Sequence, residues 1–433
     1  MLLSGDCPIS SSASGKIGIP VLLRTSSSKL AFYSPTIMVY FPDMSYWCYL
    51  ITGLAIVFMF IEMLLLTFHL IGILYAKLFM FRKPTNVLRD ELPGISILKP
   101  LCGTDVNLPS NLESYFQLDY PRYELLICIQ DEGDPAIKVV EPLMEKYPHI
   151  DARLFLGGSK VGINPKVNNM LPGYKVSKYD IIMISDSGIS ISPTTLTEMV
   201  TRMTPKVGMV HGLPFVHDRA GFSSTLDKVY FGGAHARMYI TACVAGVNCV
   251  SGMLNIIRKS ILEEAGGMSQ FAKYISEDYY MGIATFKSGY VQRLSPFPAM
   301  QNSGSSSLKS FRKRMVRWTM VRISTVPTTL ILEPLTECLV LGVAASWAAS
   351  YLFSWDPIIF FICHILQWFA LDYMQLKVLQ RGPLNFTKVD YALAWLYREV
   401  MTIFYFWEGA FSQNVTWRTG TYRLRWGGYL EEC

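Results

Sequence analysis

Hydrophobic and polar positions divide the chain into apolar ends and a middle in which short apolar runs alternate with amphipathic ones. The first long apolar run covers 47–80. It exceeds the ~20 residues that a transmembrane helix requires, so it predicts a membrane anchor over 44–81. Arg82 and Arg89 follow this run. Because basic residues are enriched on the cytosolic side of a span, the region after the anchor is predicted to be cytosolic.

The middle region, predicted to extend over 90–308, contains short apolar runs of strand length. They are "GISILKPL", "YELLICIQ", "ARLFL", "DIIMIS" and "VGMVHG". Strands that alternate with helical patterns form βαβ units and a mostly parallel sheet, so we expect an α/β domain with a Rossmann-like sheet. Ligands of such sheets bind just beyond the carboxyl ends of the strands.

The C-terminal part of the chain is first basic and then apolar. The stretch "FRKRMVRWTMVR" predicts an interfacial helix over 309–326 that presents basic and apolar residues on adjoining faces. Three apolar runs follow within 327–412, at 330–353, 356–376 and 390–411. Charged residues interrupt the first and the last run, so we expect two or three transmembrane or re-entrant elements.

The composition supports a membrane protein without a zinc site. The chain is 51% hydrophobic and 17% charged, which is too apolar for a purely soluble protein. Its nine cysteines form no CxxC pair and its six histidines show no HExxH spacing, so neither a zinc site nor a disulfide framework is predicted. No nucleic-acid partner is predicted. Residues 1–43, rich in serine, are predicted to be a flexible extension, with a transit peptide as the alternative, and 413–433 are predicted to be a tail.

One apolar run ends on an acid in a way that suggests a site. The run at 181–184 leads to Asp186 in "SDSG", and such a run is typical of a buried parallel strand. By itself Asp186 is equally well a turn residue, because Asp-Ser-Gly is ordinary turn chemistry. However, a second run, "YELLICIQ", leads to Asp131 and Asp134. Two strands that deliver carboxylates to one sheet edge favour a ligand site.

Four motifs in order, "QDEGDP", "SDSG", "SEDYYMG" and "RMVRW", resemble the D, D, D, (Q/R)xxRW signature of the family-2-type membrane glycosyltransferases. The segment "IIRKSILEEAGG" is similar to the acceptor-side segment of these enzymes. The resemblance implies a GT-A-type fold for the α/β domain.

Within this superfamily the chain is most similar to the ceramide glucosyltransferases. The similar segments are "ILKPLCGTDVNL", "KVGINPKVNN", "VHGLPF", "SEDYYMG" and "MQNSGS". This similarity covers nearly the whole chain from about residue 44. The resemblance implies transfer of glucose from UDP-glucose to the primary hydroxyl of ceramide, with inversion, as the first step of glycosphingolipid synthesis. It also implies a multi-pass protein of the Golgi membrane that acts at the cytosolic face of the bilayer.

The donor side of this reaction needs charge at the leaving group. Transfer from a nucleotide sugar expels a diphosphate, which a divalent cation or fixed cations must stabilise. Mg²⁺ and Mn²⁺ bind carboxylate and phosphate oxygens, and we assign Asp186 as the metal ligand that bridges to the diphosphate. The usual DxD pair is absent, because Gly188 stands two positions beyond. By resemblance, Asp131 and Asp134 bind the uridine, and Lys166 contacts a phosphate or the uracil unless its loop is an ordinary surface loop.

The acceptor side needs a base. Asp278 lies in "KYISEDYYMGIATF", which predicts a helix that begins near Ser276. An acid in a first turn stabilises the helix by ~0.3–1 kcal/mol, which is the structural alternative; beside the other motifs we assign Asp278 as the general base. By its match to the signature, Arg317 binds the diphosphate, with Arg314 and Trp318 as further catalytic residues. The alternative for this basic segment is headgroup binding, at about 1 kcal/mol per residue.

Other functions stay open at this stage. A processive polysaccharide synthase or another lipid glycosyltransferase would use the same motifs, although two or three C-terminal elements are few for a translocation channel. A catalytically inactive homologue that binds lipid is the non-enzyme alternative, and the complete motif set argues against it. The sequence does not fix the metal, the ceramide chain preference or the oligomeric state.

Two N-glycosylation sequons bear on the topology. Lys377, Arg381 and Lys388 flank Asn385 and predict a cytosolic loop. For Asn414 the signals conflict, because nearby arginines favour the cytosol whereas three C-terminal spans would place it in the lumen.

Overall fold

The computed structural model describes residues 44–82, 88–304, 306–417 and 420–432. The predicted N-terminal extension over 1–43 lies outside the described residues. The strands of the α/β domain are β1 Ile95–Leu101, β2 Tyr123–Ile129, β3 Ala152–Leu156, β4 Ile181–Ser185, β5 Ile189–Ser190, β6 Val207–His211, β7 Pro214–Val216, β8 Leu254–Arg258, β9 Val291–Leu294 and β10 Ala299–Gln301.

The helices follow the predicted alternation. They are α1 Met44–Tyr75, α2 Leu108–Phe116, α3 Ile137–Lys146, α4 Pro165–Lys175, α5 Thr195–Val200, α6 Phe222–Tyr230, α7 Ala236–Ala245, α8 Lys259–Glu264, α9 Glu277–Lys287, α10 Leu308–Thr325, α11 Thr329–Leu335, α12 Cys338–Phe353, α13 Pro357–Gln380 and α14 Lys388–Phe411. Short π-helical turns, Ala76–Met80 and Phe231–His235, continue α1 and α6, and 3₁₀ turns cover Arg89–Glu91 and Met268–Phe271.

The main sheet has seven strands in the order β3-β2-β1-β4-β8-β6-β9. Strands β3, β2, β1 and β4 run parallel, and β8 is antiparallel to both of its neighbours. The predicted mostly parallel α/β sheet is therefore confirmed. Since the carboxyl ends of β1, β2 and β4 lie at one edge, the segments after β2 and β4 are brought together, as the sequence predicted.

Helices cover both faces of this sheet, which explains why its strands are apolar on both sides. Ile97 and Met183 pack with α2, α3 and α5 on one face. Leu98 and Ile182 pack with α4, α8 and α9 on the other. A smaller sheet, β5-β10-β7, lies next to the carboxyl end of β4. It fixes the chain that follows Asp186.

Within the described residues, two helices are long and apolar enough to cross a membrane, Tyr46–Met80 and Pro357–Gln380. A third candidate is the pair Thr329–Leu335 and Cys338–Phe353, which is bent by 69°. The run at 390–411 forms most of α14, which packs against α10 and α6. The two or three C-terminal membrane elements therefore stay a prediction.

A buried acid joins the α/β domain to the long helices. Asp372, in α13, is only 2% exposed. Its carboxylate accepts hydrogen bonds from Arg237 of α7 at 2.9 Å and Trp395 of α14 at 3.1 Å, and it lies 3.2 Å from Nε2 of His69 in α1. Arg398 approaches it at 3.4 Å. Removing one partner from such a buried group costs about 3–5 kcal/mol, so this contact fixes four helices together.

The C-terminal strands form a separate antiparallel sheet, β11 Asn414–Trp417, β12 Gly420–Arg425 and β13 Tyr429–Glu432. Val415 and Leu430 pack on Met320 of α10 and on Ile275. The backbone N–H of Ile275 donates to the carbonyl of Gly428 at 3.0 Å. This sheet therefore lies on the same side as the α/β domain.

We predict that neither sequon asparagine carries a glycan. Asn385 donates from Nδ2 to the Arg219 carbonyl of the α/β domain at 2.8 Å, and Asn414 begins the sheet that packs on α10. Both lie on the side that the basic residues after the anchor predict to be cytosolic. Enzymatic deglycosylation of the protein from eukaryotic membranes should leave its electrophoretic mobility unchanged.

A sequon-bearing insertion between Ser354 and Trp355 is the control. This loop connects α12 and α13 at the end of α13 that lies away from the α/β domain. The insertion should acquire a glycan. A mobility shift mapped to Asn385 or Asn414 would contradict the cytosolic orientation.

Candidate active site at the carboxyl end of β4

Lys166 lies in the first turn of α4, where local sequence fixes its position. Asn164 caps the helix by accepting hydrogen bonds from the backbone N–H groups of Lys166 at 2.8 Å and Val167 at 3.1 Å. Pro165 occupies the first helical position, where its fixed φ suits the helix and its missing N–H has no consequence. The segment at 157–169, predicted to be a loop, therefore contains the capped N-terminus of α4. This helix start directs Lys166 toward the sheet edge.

The Lys166 ammonium connects three segments. Its Nζ lies 2.8 Å from Oδ1 of Asp186 and 2.9 Å from Oε1 of Glu277, and it donates to the Gly252 carbonyl at 3.0 Å. Burial alone would lower the pKa of Lys166, but the carboxylates of Asp186 and Glu277 outweigh burial and raise that pKa above its ordinary value. Lys166 is therefore a fixed cation at the end of β4.

Asp186 directly follows β4, the strand end at which the sequence placed it, and it also begins a turn. Its backbone N–H donates to the Met253 carbonyl at 2.9 Å, and its own carbonyl accepts from the Ile189 N–H at 3.2 Å. The side chain is 40% exposed although Lys166 binds one of its oxygens. The carboxylate therefore faces an open edge that a ligand can reach.

Asp278 lies in the first turn of α9 and its carboxylate is tightly surrounded. Oδ1 accepts from the Tyr279 N–H at 2.8 Å. A Cβ at position 252 would lie 2.8 Å from Oδ2, so Gly252 allows the loop before β8 to approach the acid. Ser276 is the N-cap residue, as predicted, but its side chain makes no capping hydrogen bond; its Oγ lies 3.3 Å from Oγ1 of Thr325 in α10.

Burial and neighbouring charge raise the pKa of Asp278 to about 7. Desolvation is the largest cause, and repulsion from the adjacent Glu277 adds to it, whereas the Lys166 ammonium opposes both. A carboxyl group with a pKa near neutrality suits proton transfer at physiological pH.

Glu277 is a site residue to which the sequence gave no role. It is 5% exposed, and besides Lys166 it accepts from Nδ2 of Asn164 at 3.0 Å. The only sequence signal was its place beside Asp278 in "SEDYYMG". The contact of Glu277 with Lys166 depends on how α9 begins, and the motif alone does not reveal that contact.

Asp131 and Asp134 follow β2 but differ in their surroundings. Asp134 is 8% exposed, and its two oxygens accept from the N–H groups of Gly103 at 2.7 Å and Ala136 at 2.8 Å. It therefore binds the loop after β1 to the start of α3. Asp131 is exposed and accepts from the Gly133 N–H at 2.9 Å. Since β1 separates β2 from β4, strand spacing places Asp131 roughly 10 Å from Asp186 along the edge.

The signature residues of α10 are distributed around the helix. Arg314 forms an ion pair with the buried Asp227 of α6. The Trp318 ring stacks on His235, with ring centroids 5.4 Å apart and planes at 23°. Arg317, which stands between Arg314 and Trp318 in the sequence, is partly buried. Among the contacts described, Arg314 binds α6 and not the carboxylates around Lys166.

The residues at this edge fit one side of a metal–diphosphate site. In the described ranges, no three histidine, cysteine, aspartate or glutamate side chains are grouped to hold a metal ion. Mg²⁺, however, is usually bound by one or two carboxylates together with substrate phosphates and water. Asp186, with its exposed carboxylate at the strand end, fits the role of that single protein ligand.

Comparison with known proteins gives a family and close relatives. The family described as glycosyl transferase family 21 matches residues 64–430. Ceramide glucosyltransferase 3 of Caenorhabditis elegans is 38% identical over 88% of this chain and 83% of its own length. Ceramide glucosyltransferase 1 of the same organism is 37% identical over 84% of this chain and 78% of its own. The ceramide glucosyltransferase of Komagataella phaffii is 30% identical over 79% of this chain and 84% of its own length.

Among solved structures, a mannosyltransferase from Pyrobaculum calidifontis in complex with GDP-Man and Mn²⁺ aligns with 80% of this chain and 99% of its own. The sequence identity is 16% and the TM-score is 0.46.

We predict that Lys166→Met and Glu277→Gln are coupled in stability. Lys166→Met leaves the buried Glu277 without its cation, and breaking such a pair costs roughly 3–5 kcal/mol. In the double variant the unpaired charge is absent. Its loss of unfolding free energy should therefore be smaller than the sum of the losses in the two single variants, by about 0.5–3 kcal/mol. Denaturant unfolding of the three purified variants measures this difference. Additive losses would mean that the contact does not stabilise the fold.

Proposed function

We propose that this chain, which belongs to glycosyl transferase family 21, transfers glucose from UDP-glucose to the primary hydroxyl of ceramide. The named activity of the relatives supports glucosylceramide as the product. The observation that carries the proposal is the Lys166 contact, which brings Asp186 of the sheet edge next to the acids that begin α9. A donor-side acid and an acceptor-side base thereby share one site.

On the donor side, the proposal assigns charge to the leaving diphosphate. Lys166 supplies a fixed ammonium, and Arg317 a guanidinium from α10. A divalent cation, when bound, neutralises the diphosphate further, and Asp186 would hold it. Asp131, exposed farther along the edge, contacts the uridine. Asp134 supports that region by fixing the loop after β1.

On the acceptor side, Asp278 is the general base. It takes the proton of the ceramide hydroxyl while the hydroxyl oxygen attacks the anomeric carbon from the face opposite the diphosphate. The bond from that carbon to the diphosphate oxygen breaks, and UDP leaves. One displacement inverts the anomeric configuration. No covalent sugar intermediate forms, so a second nucleophilic carboxylate is unnecessary.

The position of Asp278 suits an acceptor that stays in a bilayer. Ser276, two residues before Asp278, lies 3.3 Å from Thr325 at the end of α10, and α10 leads directly to the bent pair α11 and α12. Trp318 and Arg314 fix α10 against α6 and its π-helical end. A lipid loses ~0.8 kcal/mol for each CH₂ withdrawn from the membrane, so a site beside these helices favours a lipid acceptor. The cytosolic orientation and the Golgi location are parts of the same proposal.

Membranes that contain the protein should glucosylate ceramide from radiolabelled UDP-glucose when offered a panel of lipid acceptors. Product analysis by chromatography identifies the acceptor, and the anomeric configuration of the product tests inversion. Labelling of a polymer or a polyprenyl phosphate without labelling of ceramide would reject this function. No transfer to any acceptor, together with intact lipid binding, would indicate an inactive homologue.

We predict that Asp278→Asn lowers kcat/KM by roughly 10²–10⁴-fold, because the amide cannot accept the acceptor proton. The base must be ionised and burial raises its pKa to about 7, so wild-type kcat/KM should rise with pH up to about 7 and level off above it. The variant should lose this rise.

Asp180→Asn, the same chemical change in an exposed acid just before β4, is the control and should keep both the rate and the pH profile. A full rate in Asp278→Asn, or a pH profile identical to the wild type, would remove Asp278 from this role.

A further inference from the structure

Lys99 is a completely buried lysine directly below the Asp186 turn. It lies in β1 and is 0% exposed. Its Nζ lies 2.6 Å from the Asp186 carbonyl, 3.3 Å from the Ile189 carbonyl and 3.4 Å from Oγ of Ser185. Every one of these partners is a neutral oxygen. Among the described ion pairs, none joins Lys99 to a carboxylate.

Packing does not explain a lysine at this position. Burial lowers the pKa of Lys99 well below its ordinary value, and the Asp186 carboxylate opposes that shift only in part. Lysine is almost never fully buried without a charged partner, because removing the amine from water is costly. An apolar side chain of similar length could fill the same space but could not donate hydrogen bonds. The hydrogen bonds of Lys99 are therefore what distinguishes it from an apolar residue at this position.

Those hydrogen bonds fix both ends of one turn. The Ile189 N–H closes the turn onto the Asp186 carbonyl at 3.2 Å, and Lys99 binds the carbonyls of both residues from below. Tyr115 assists: its hydroxyl donates to the Ile189 carbonyl at 3.3 Å, is hydrogen-bonded to Ser185, and its ring centroid lies 3.8 Å from Nζ of Lys99. From the other side, the Asn302 N–H donates to the Gly188 carbonyl at 2.8 Å.

We propose that Lys99 is a positioning residue for the donor: by holding the carbonyls of Asp186 and Ile189, it fixes the Asp186 carboxylate where the diphosphate end of the donor binds. The inference rests on the proposed role of Asp186. Without the amino group of Lys99, the carbonyls of Asp186 and Ile189 and the Ser185 hydroxyl lose a hydrogen-bond donor, and the turn can shift. A misplacement of about 1 Å at a reacting group lowers the rate by about 10²-fold.

Lys99→Met tests this inference, since it keeps the length of the side chain and removes its donors. Two quantities are measured on the full-length purified protein: the affinity for UDP with Mn²⁺, and the steady-state constants for UDP-glucose and ceramide. We expect UDP to bind at least tenfold more weakly and kcat/KM for UDP-glucose to fall by about 10²-fold. The KM for ceramide should stay unchanged.

Ser96→Ala is the matched control. Ser96 is also fully buried in β1, and its hydroxyl donates to Glu124 at 2.5 Å and accepts from the Tyr179 N–H at 3.1 Å, at the opposite end of the strand. Its variant should lose thermal stability but bind UDP as the wild type does. A Lys99→Met protein that keeps the UDP affinity of the wild type, or that changes only as Ser96→Ala does, would overturn the inference.

If Lys99→Met does not fold, Tyr115→Phe decides the question. It removes the second donor to the Ile189 carbonyl and keeps the ring, so UDP affinity should fall by about 3–10-fold, as the loss of one hydrogen bond implies. Unchanged affinity would overturn the inference. A wild-type protein that binds UDP but does not glucosylate ceramide would count against the proposed function alone.

Discussion

The assembly of the site depends on one ammonium group between two carboxylates. Asp186 follows a strand of the main sheet and Glu277 begins α9, and Lys166 binds both carboxylates, at 2.8 and 2.9 Å. Asp278 adds a third acid next to Glu277. Without the cation these three acids would repel one another in a partly buried space, where repulsion is stronger than in water. Lys166 thus makes it possible for the proposed donor-side acid, Asp186, and the proposed acceptor-side base, Asp278, to lie together.

The same principle operates where the α/β domain meets the long helices. Asp372 is buried, and donors from α7 and α14, together with His69 of α1, surround its carboxylate. A charged group in this position is stable only when each of its oxygens is satisfied, so these helices hold one arrangement. The contact of Ser276 with Thr325 extends this rigid connection to the turn that carries Asp278. The proposed base, Asp278, is thereby held at a fixed place relative to the helices that are candidates to span the membrane.

The charged residues differ in how much of their role is visible in the sequence. The acids after β2 and β4 could be placed at one edge, because a buried strand ends where the charge begins. Their tasks could not be separated: Asp134 accepts two backbone N–H groups while Asp131 remains exposed. Arg314 and Arg317 occupy neighbouring places in one motif, yet Arg314 binds Asp227 of α6. Glu277 and Lys99 received no role, because each acts through a partner that is distant in sequence.

The sequence by itself determined the α/β sheet, the apolar anchor and the order of the motifs, because hydrophobic periodicity and strand ends are local properties. It also determined the start of α9, since a serine followed by two acids is a local helix signal. Only the tertiary structure decided the antiparallel insertion of β8, the packing of α14 against α10 and α6, and the contacts of Lys166, Lys99 and Asp372. These features depend on which buried charge meets which partner, and that pairing is set by segments separated by tens to hundreds of residues.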